Sequence, residues 1–119
     1  MKDNILLDKT FTFAVRVVNA YKHLVKEHRE FVLSKQFLRS GTSIGANSEE
    51  AVGGQSRNDF AAKLSIAYKE AREAAYWLRL IQEAALIPAD RLGDAIDETE
   101  QLIKILSSIL LHTKQGIPN

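Results

Sequence analysis

The chain contains no cysteine, only two prolines and no long apolar run. Lacking cysteine, it can form no disulfide, thiolate metal site or cysteine nucleophile. Pro88 and Pro118 interrupt no long periodic segment, which favours an all-helical chain. The most apolar stretch, Leu102 to Leu111, spans ten residues and includes Lys104, Ser107 and Ser108, far short of the roughly 20 residues a membrane helix needs. The start, Met1-Lys2-Asp3-Asn4-Ile5-Leu6-Leu7-Asp8, breaks off after three apolar residues and does not read as a signal peptide. A cytoplasmic location, with no membrane partner, is the expectation. Neither sign of charge dominates: 16 Lys and Arg stand against 15 Asp and Glu, a formal net charge of +1. Such a balance neither favours nor opposes a nucleic-acid partner.

The 119 residues suffice for a single domain, residues 1–119. With 45% hydrophobic and 26% charged residues, the composition is that of a globular protein. The clearest helix runs from about Ser56 to Ala85. Ser56 stands three residues before Asp59, where its hydroxyl can accept the Asp59 N–H, and the Asp59 carboxylate complements the helix dipole. Phe60, Leu64, Ala67, Ala71, Ala74, Leu78, Ile81 and Ala85 then alternate steps of four and three, a seam whose alanine middle admits a close neighbour. A last helix begins near Pro88-Ala89-Asp90 and runs to about Thr113. Leu92, Ile96, Thr99, Ile103, Leu106 and Leu110 form its seam, widened by Leu102, Ile105 and Ile109.

Upstream, Phe11, Ala14, Val18, Tyr21 and Val25 make the stripe of a first helix over about Asp8 to Glu27, with Phe13, Val17 and Leu24 beside it. A second helix starts near Leu33 or Ser34, and Gly53-Gly54 ends the element before the capping serine. Short turns make sequential helices antiparallel neighbours. The expected architecture is all-α, an antiparallel up-down-up-down four-helix bundle.

One local string stands apart, Ser40-Gly41-Thr42-Ser43-Ile44-Gly45-Ala46-Asn47. A phosphate-binding loop fits poorly, because no Lys-Ser/Thr follows the glycines and no strand precedes them. A plain loop is favoured by local propensity, since two interior glycines cost about 2 kcal/mol relative to alanine. A continuous helix is favoured by Phe37, Gly41, Ile44, Ser48 and Ala51, which keep the four-three stepping. In the helical reading, a packing face of Gly41, Gly45 and Ser48 meets the alanine middle of the third helix.

Polar residues cluster by helical geometry. Lys69, Arg72, Tyr76 and Arg79 share the side of the third helix opposite its seam, and Lys9, Arg16, His23 and Lys26 form a stripe on the first. With Lys35 and Arg39 these make a basic surface. Residues 1–79 hold thirteen basic and nine acidic groups, and residues 80–119 hold three and six, so the charge is segregated along the chain. A basic stripe with an interleaved tyrosine suits phosphate contact and base stacking. The same spacing also suits a solvated face with local pairs of Lys69 with Glu73 and Arg79 with Glu83. Glu70 and Glu73 flank the seam but lack the Glu-x-x-His partner of a bundle di-metal site, so no metal or cofactor is expected. Their expected role is to hold helix register through polar contacts to Ser40, Ser43 or Asn47. Ser43 and Ser48 are candidate nucleophiles in principle, but His23, His28 and His112 fall in no spacing that supports a triad, and no catalytic residue is assigned. Trp77 and Leu80 are candidate interface anchors at an edge of the bundle.

The string Gln36-Phe37-Leu38-Arg39-Ser40-Gly41-Thr42-Ser43-Ile44-Gly45-Ala46-Asn47, with Asp59-Phe60, Lys69-Glu70-Ala71-Arg72-Glu73 and Tyr76-Trp77-Leu78, resembles the bacterial four-helix-bundle family of rRNA intervening-sequence proteins. Some members are encoded inside insertions of large-subunit rRNA genes. The resemblance spans essentially the whole chain. It implies an antiparallel bundle that assembles as a homopentamer, and no established biochemical activity. It also implies kinship with the accessory protein of diversity-generating retroelements, a basic pentameric barrel that associates with a reverse transcriptase and nucleic acid. The near-neutral charge of this chain departs from those strongly basic members. The expected function is therefore a non-enzymatic homo-oligomeric interaction protein whose partner is itself, the alternative being an RNA-binding module that serves a nucleic-acid-processing partner.

Overall fold

A computed structural model describes residues 3–114, the side chains of residues 3, 4, 89–93 and 114 excepted. Four helices follow one another: α1 (Asp3–His28), α2 (Leu33–Val52), α3 (Arg57–Glu83) and α4 (Ala89–Lys114). The connections are residues 29–32, 53–56 and 84–88. A five-residue link reaches at most about 18 Å, whereas a helix of this length is about 40 Å long. Each helix must therefore run back along its predecessor. Packing follows the cycle α1, α2, α3, α4, and α1 and α4 share the thinnest seam. The bundle measures 47 × 22 × 21 Å.

The helix ends follow from local chemistry. Ser56 caps α3 as its position predicts, accepting the Asp59 N–H at 3.0 Å. At the start of α2, the Glu30 carboxylate accepts the N–H groups of Val32, Leu33 and Ser34 at 3.0, 2.8 and 2.7 Å. Burial pushes the Glu30 carboxyl upward, but those three donors outweigh it and hold its pKa below the ordinary value. The α3–α4 turn is a Schellman arrangement: the Leu86 N–H returns to Ile81 and the Ala85 N–H to Gln82. Ala85 takes the left-handed conformation there (φ 56°), as Arg29 does after α1 (φ 51°).

The α3 seam is buried from Leu64 through Ala67, Ala71, Ala74 and Leu78 to Ile81. Phe60 is half-buried, and Ala85 lies in the turn beyond the helix. On α4 the buried line is Ala95, Thr99, Leu102, Leu106, Leu110 and Thr113, so Ile96 and Ile103 sit at its flank. Leu92 lies outside the described residues.

Helix α1 corrects the expectation in two respects. It starts by Asp3, and its core stripe is Leu6, Thr10, Phe13, Val17 and Leu24. Of the stripe expected inside, Phe11 is 68% exposed and Val18 39%, beside Val15 at 46%, while Ala14, Tyr21 and Val25 are half-buried. Both stripes carry helical periodicity, and only the neighbours decide which is covered.

Among the described residues, six buried ones carry hydroxyls, namely Thr10, Ser34, Ser40, Ser48, Thr99 and Thr113. Each donates to a carbonyl three or four residues earlier, in its own helix or the turn before it. Small polar residues thus line the interior without leaving an unsatisfied hydroxyl among them.

Candidate functional site

The string from Ser40 to Asn47 lies inside α2, which runs unbroken through both glycines. The glycines face α1, not the alanines of α3, and this corrects the expected packing. A Cβ built on Gly41 would meet the Val17 methyl carbons at 2.6 and 2.8 Å, and one on Gly45 would meet Thr10 at 3.4 Å. Absence of a side chain at Gly41 is therefore a condition of the α1–α2 approach. Just beyond it, the Phe13 and Phe37 rings meet edge to face with centroids 6.5 Å apart.

Toward α3, the same helix turns Arg39 outward. Its guanidinium bridges Glu70, at 3.2 Å, and Glu73. Glu73 also accepts the Trp77 indole N–H at 2.9 Å. That indole hydrogen bond and then Arg39 hold the Glu73 carboxyl below its ordinary pKa, against the opposing effect of burial. The Arg39 guanidinium is held in its charged form chiefly by its hydrogen bond to Glu73.

Glu70 and Glu73 thus tie two helices together, but their partners are Arg39 and Trp77. Ser40, Ser43 and Asn47 donate within α2, to the carbonyls of Gln36, Arg39 and Ser43. These residues sit in a helix interior, where the nearest carbonyl outcompetes a partner across the seam. The candidate nucleophiles are similarly engaged, since Ser48 is buried and donates to Ile44, and Ser43 donates to Arg39. Thr42 donates to Leu38, Ile44 is core, and Ala46 is exposed.

The basic candidates divide in two. Arg16 pairs with Glu98 at 2.8 Å and reaches Asp94 at 3.9 Å, Lys9 donates to Gln101, and Arg39 is bound as above. The stripe of Lys9 and Arg16 is the α4 flank of α1, not a free surface. Lys26, Lys35, Lys69, Arg72 and Arg79 are exposed. Arg72 lies over the Tyr68 ring, 5.9 Å from its centroid, and the exposed Tyr76 packs edge to face on Trp77. The expected i,i+4 pairing of Glu73 with Lys69 gives way to Arg39, and Arg79 forms no ion pair with Glu83 within 4 Å. Trp77 and Leu80 are half-buried, Trp77 beside the Arg39–Glu73 pair between α2 and α3.

Two features escape a reading of the sequence. One is the Glu30 cap, whose signal is a glutamate four residues before Ser34, with the apolar Phe31-Val32-Leu33 between them. The other is the outward stripe of α1. Among the described residues, no group of three His, Asp or Glu is placed to hold a metal ion. No helix among them is long and apolar enough to cross a membrane.

Comparisons with known proteins agree with this architecture. A crystal structure of a protein with unknown function from the S23 ribosomal protein family of Bacteroides thetaiotaomicron superposes with a TM-score of 0.88 at 52% identity, covering 92% of this chain and 98% of that one. No curated protein matches. The model of the 23S rRNA-intervening sequence protein family matches residues 2–108, which takes in the helical string and the Arg39–Glu70–Glu73–Trp77 cluster. The chain therefore belongs to the family of 23S rRNA-intervening sequence proteins.

Proposed function

We propose that the chain is a non-enzymatic, cytoplasmic interaction protein that works as a homo-oligomer, a pentamer being the assembly its family resemblance implies. The observation that carries this reading is the uncovered apolar stripe on α1, where Phe11, Val15 and Val18 project into solvent side by side. Large apolar side chains grouped on one face of a helix mark a contact surface. The polar cluster of Arg39, Glu70, Glu73 and Trp77 has a smaller role within this reading: it ties α2 to α3 at their exposed edge. Light scattering on the purified chain tests the idea. The expected mass is a multiple of 13.3 kDa, near five copies. A monomer at the highest soluble concentration would refute it.

A second reading, RNA contact, draws on the exposure of Lys69, Arg72, Tyr76 and Arg79 along one face of α3. Repeated around an oligomer, weak basic patches would act together. An RNA titration at two salt concentrations should then show affinity falling steeply with salt, and no binding at low salt removes the reading.

A further inference from the structure

We propose that the pocket at the α1–α4 seam binds one small neutral aromatic molecule bearing a hydroxyl, of the phenol class, with its ring on the core side chains and its hydroxyl on Nε2 of His23.

The pocket follows from where the core residues become small. The buried line of α1 includes Phe13, Val17 and Leu24, and between the last two the residue packed against the core is only Ala20. The buried line of α4 is leucine at Leu102, Leu106 and Leu110 but alanine at Ala95. Because the helices alternate in direction, the C-terminal half of α1 lies beside the N-terminal half of α4, and the two alanines line one opening. About 210 Å³ is left there, on the side where the bundle is most thinly packed. Phe13, Phe37, Leu78 and Ala95 reach it from all four helices, and Ile87 borders it from the α3–α4 turn. Those side chains offer carbon alone, so water against them would lack the several partners it needs, whereas an apolar body gains by burial. An engineered apolar cavity of roughly 150 Å³ stays dry and holds benzene. The larger volume here takes one ring and a substituent.

The polar requirement comes from the rim. His23 lines the pocket, and among the described residues its Nε2 is buried without a hydrogen-bond partner in the protein, a costly state. A hydroxyl both donates and accepts, so it satisfies that nitrogen in either neutral tautomer. Arg16, also at the rim, is already engaged by Glu98 at 2.8 Å and Asp94 at 3.9 Å. An anionic ligand would compete for that guanidinium against two carboxylates, and a cation would have to displace it from them. The uncharged ligand disturbs neither pair. Every residue named belongs to one chain, so the site is complete whether or not the chain assembles.

The test titrates phenol, benzene and benzoate into the isotope-labelled chain and follows amide chemical shifts. Phenol should saturate, with shifts centred on Ala20, His23, Ile87 and Ala95. It should bind at least about fivefold tighter than benzene, the worth of one ordinary hydrogen bond, and benzoate should be the weakest of the three. Ala20→Leu and Ala95→Leu each fill the opening, and binding of phenol and benzene should be lost in both while a circular dichroism melt verifies folding. His23→Phe keeps the bulk of the ring and removes the nitrogen, so benzene should bind as before and the advantage of phenol should vanish. Failure of phenol to saturate by about 10 mM overturns the site, since a buried ring readily exceeds that affinity. Shifts centred elsewhere, or binding that survives both folded filling variants, overturn its location. Equal affinity of phenol and benzene for the wild type overturns the His23 contact, and a preference for benzoate overturns the neutral class.

Discussion

Toward α1, helix α2 offers bare backbone: Gly41 lies so near Val17 that no Cβ fits between them. Toward α3, it offers reach, with Arg39 extending to two carboxylates on the next helix. The first seam is buried and stiff, since Val17 is a β-branched side chain with little freedom to move away. The Arg39 contacts on the second, more extensively packed seam lie at the surface, where Arg39 is 49% exposed and water screens the pair. A single helix therefore joins its two neighbours by contacts of different stiffness, and the difference predicts how each will fail.

The largest effect should come from Phe37→Ala, which removes the ring facing Phe13 and leaves a cavity in the α1–α2 seam. A loss of about 3–5 kcal/mol in denaturant unfolding is expected. Next comes the contrast between the two glycines. Gly41→Ala should destabilise by about 1–2 kcal/mol, because overpacking against Val17 exceeds the roughly 1 kcal/mol gained in helix propensity. Gly45→Ala meets Thr10 at ordinary contact distance and should be neutral or stabilising by up to about 1 kcal/mol. Equal effects at both positions would break the claim that one close approach governs the seam.

On the other flank, Arg39→Met should cost less than about 1 kcal/mol, the scale of a partly exposed ion pair. A loss matching that of Gly41→Ala would erase the distinction between the flanks. The smallest effect is one of pH. The Glu73 carboxyl is depressed in the folded state, so its contribution is present above the ordinary value of 4.5 and is lost as pH falls through the folded pKa. Glu73→Gln should thus lower the denaturation midpoint at pH 7, with the difference from wild type shrinking as pH falls below 4.5 and through the folded pKa. Glu30→Gln should behave the same way for the same reason, through the three N–H groups it caps.

Four helices, their short turns, the Ser56 cap and the α3 seam were all legible in the sequence, because each depends on residues within a few turns of one another. The helical state of the glycine string was legible too, from the unbroken step between Phe37 and Ala51. What periodicity could not give was the identity of neighbours. It marked two apolar stripes on α1 without telling which one the other helices cover. It placed Gly41 and Gly45 on a common face without telling whether α1 or α3 lies opposite. The Arg39 cluster joins residues more than 30 positions apart, and along the chain its members stand as unrelated charges. Each of these misses is a question of which helix stands beside which, a property of the assembled bundle.

The thin seam between α1 and α4 also bears on motion. Beside it lies a cavity of about 210 Å³ reaching Phe13, Phe37 and Leu78, so this side has the least packing to hold it shut. Regions with sparse contacts open at lower free energy than the rest of a fold. Thermal opening should therefore begin as a parting of the first and last helices, with the α2–α3 pair acting as the hinge. Amide hydrogens along the α1–α4 line would exchange through that partial opening, while those in the α2–α3 pair would wait for the whole chain to unfold.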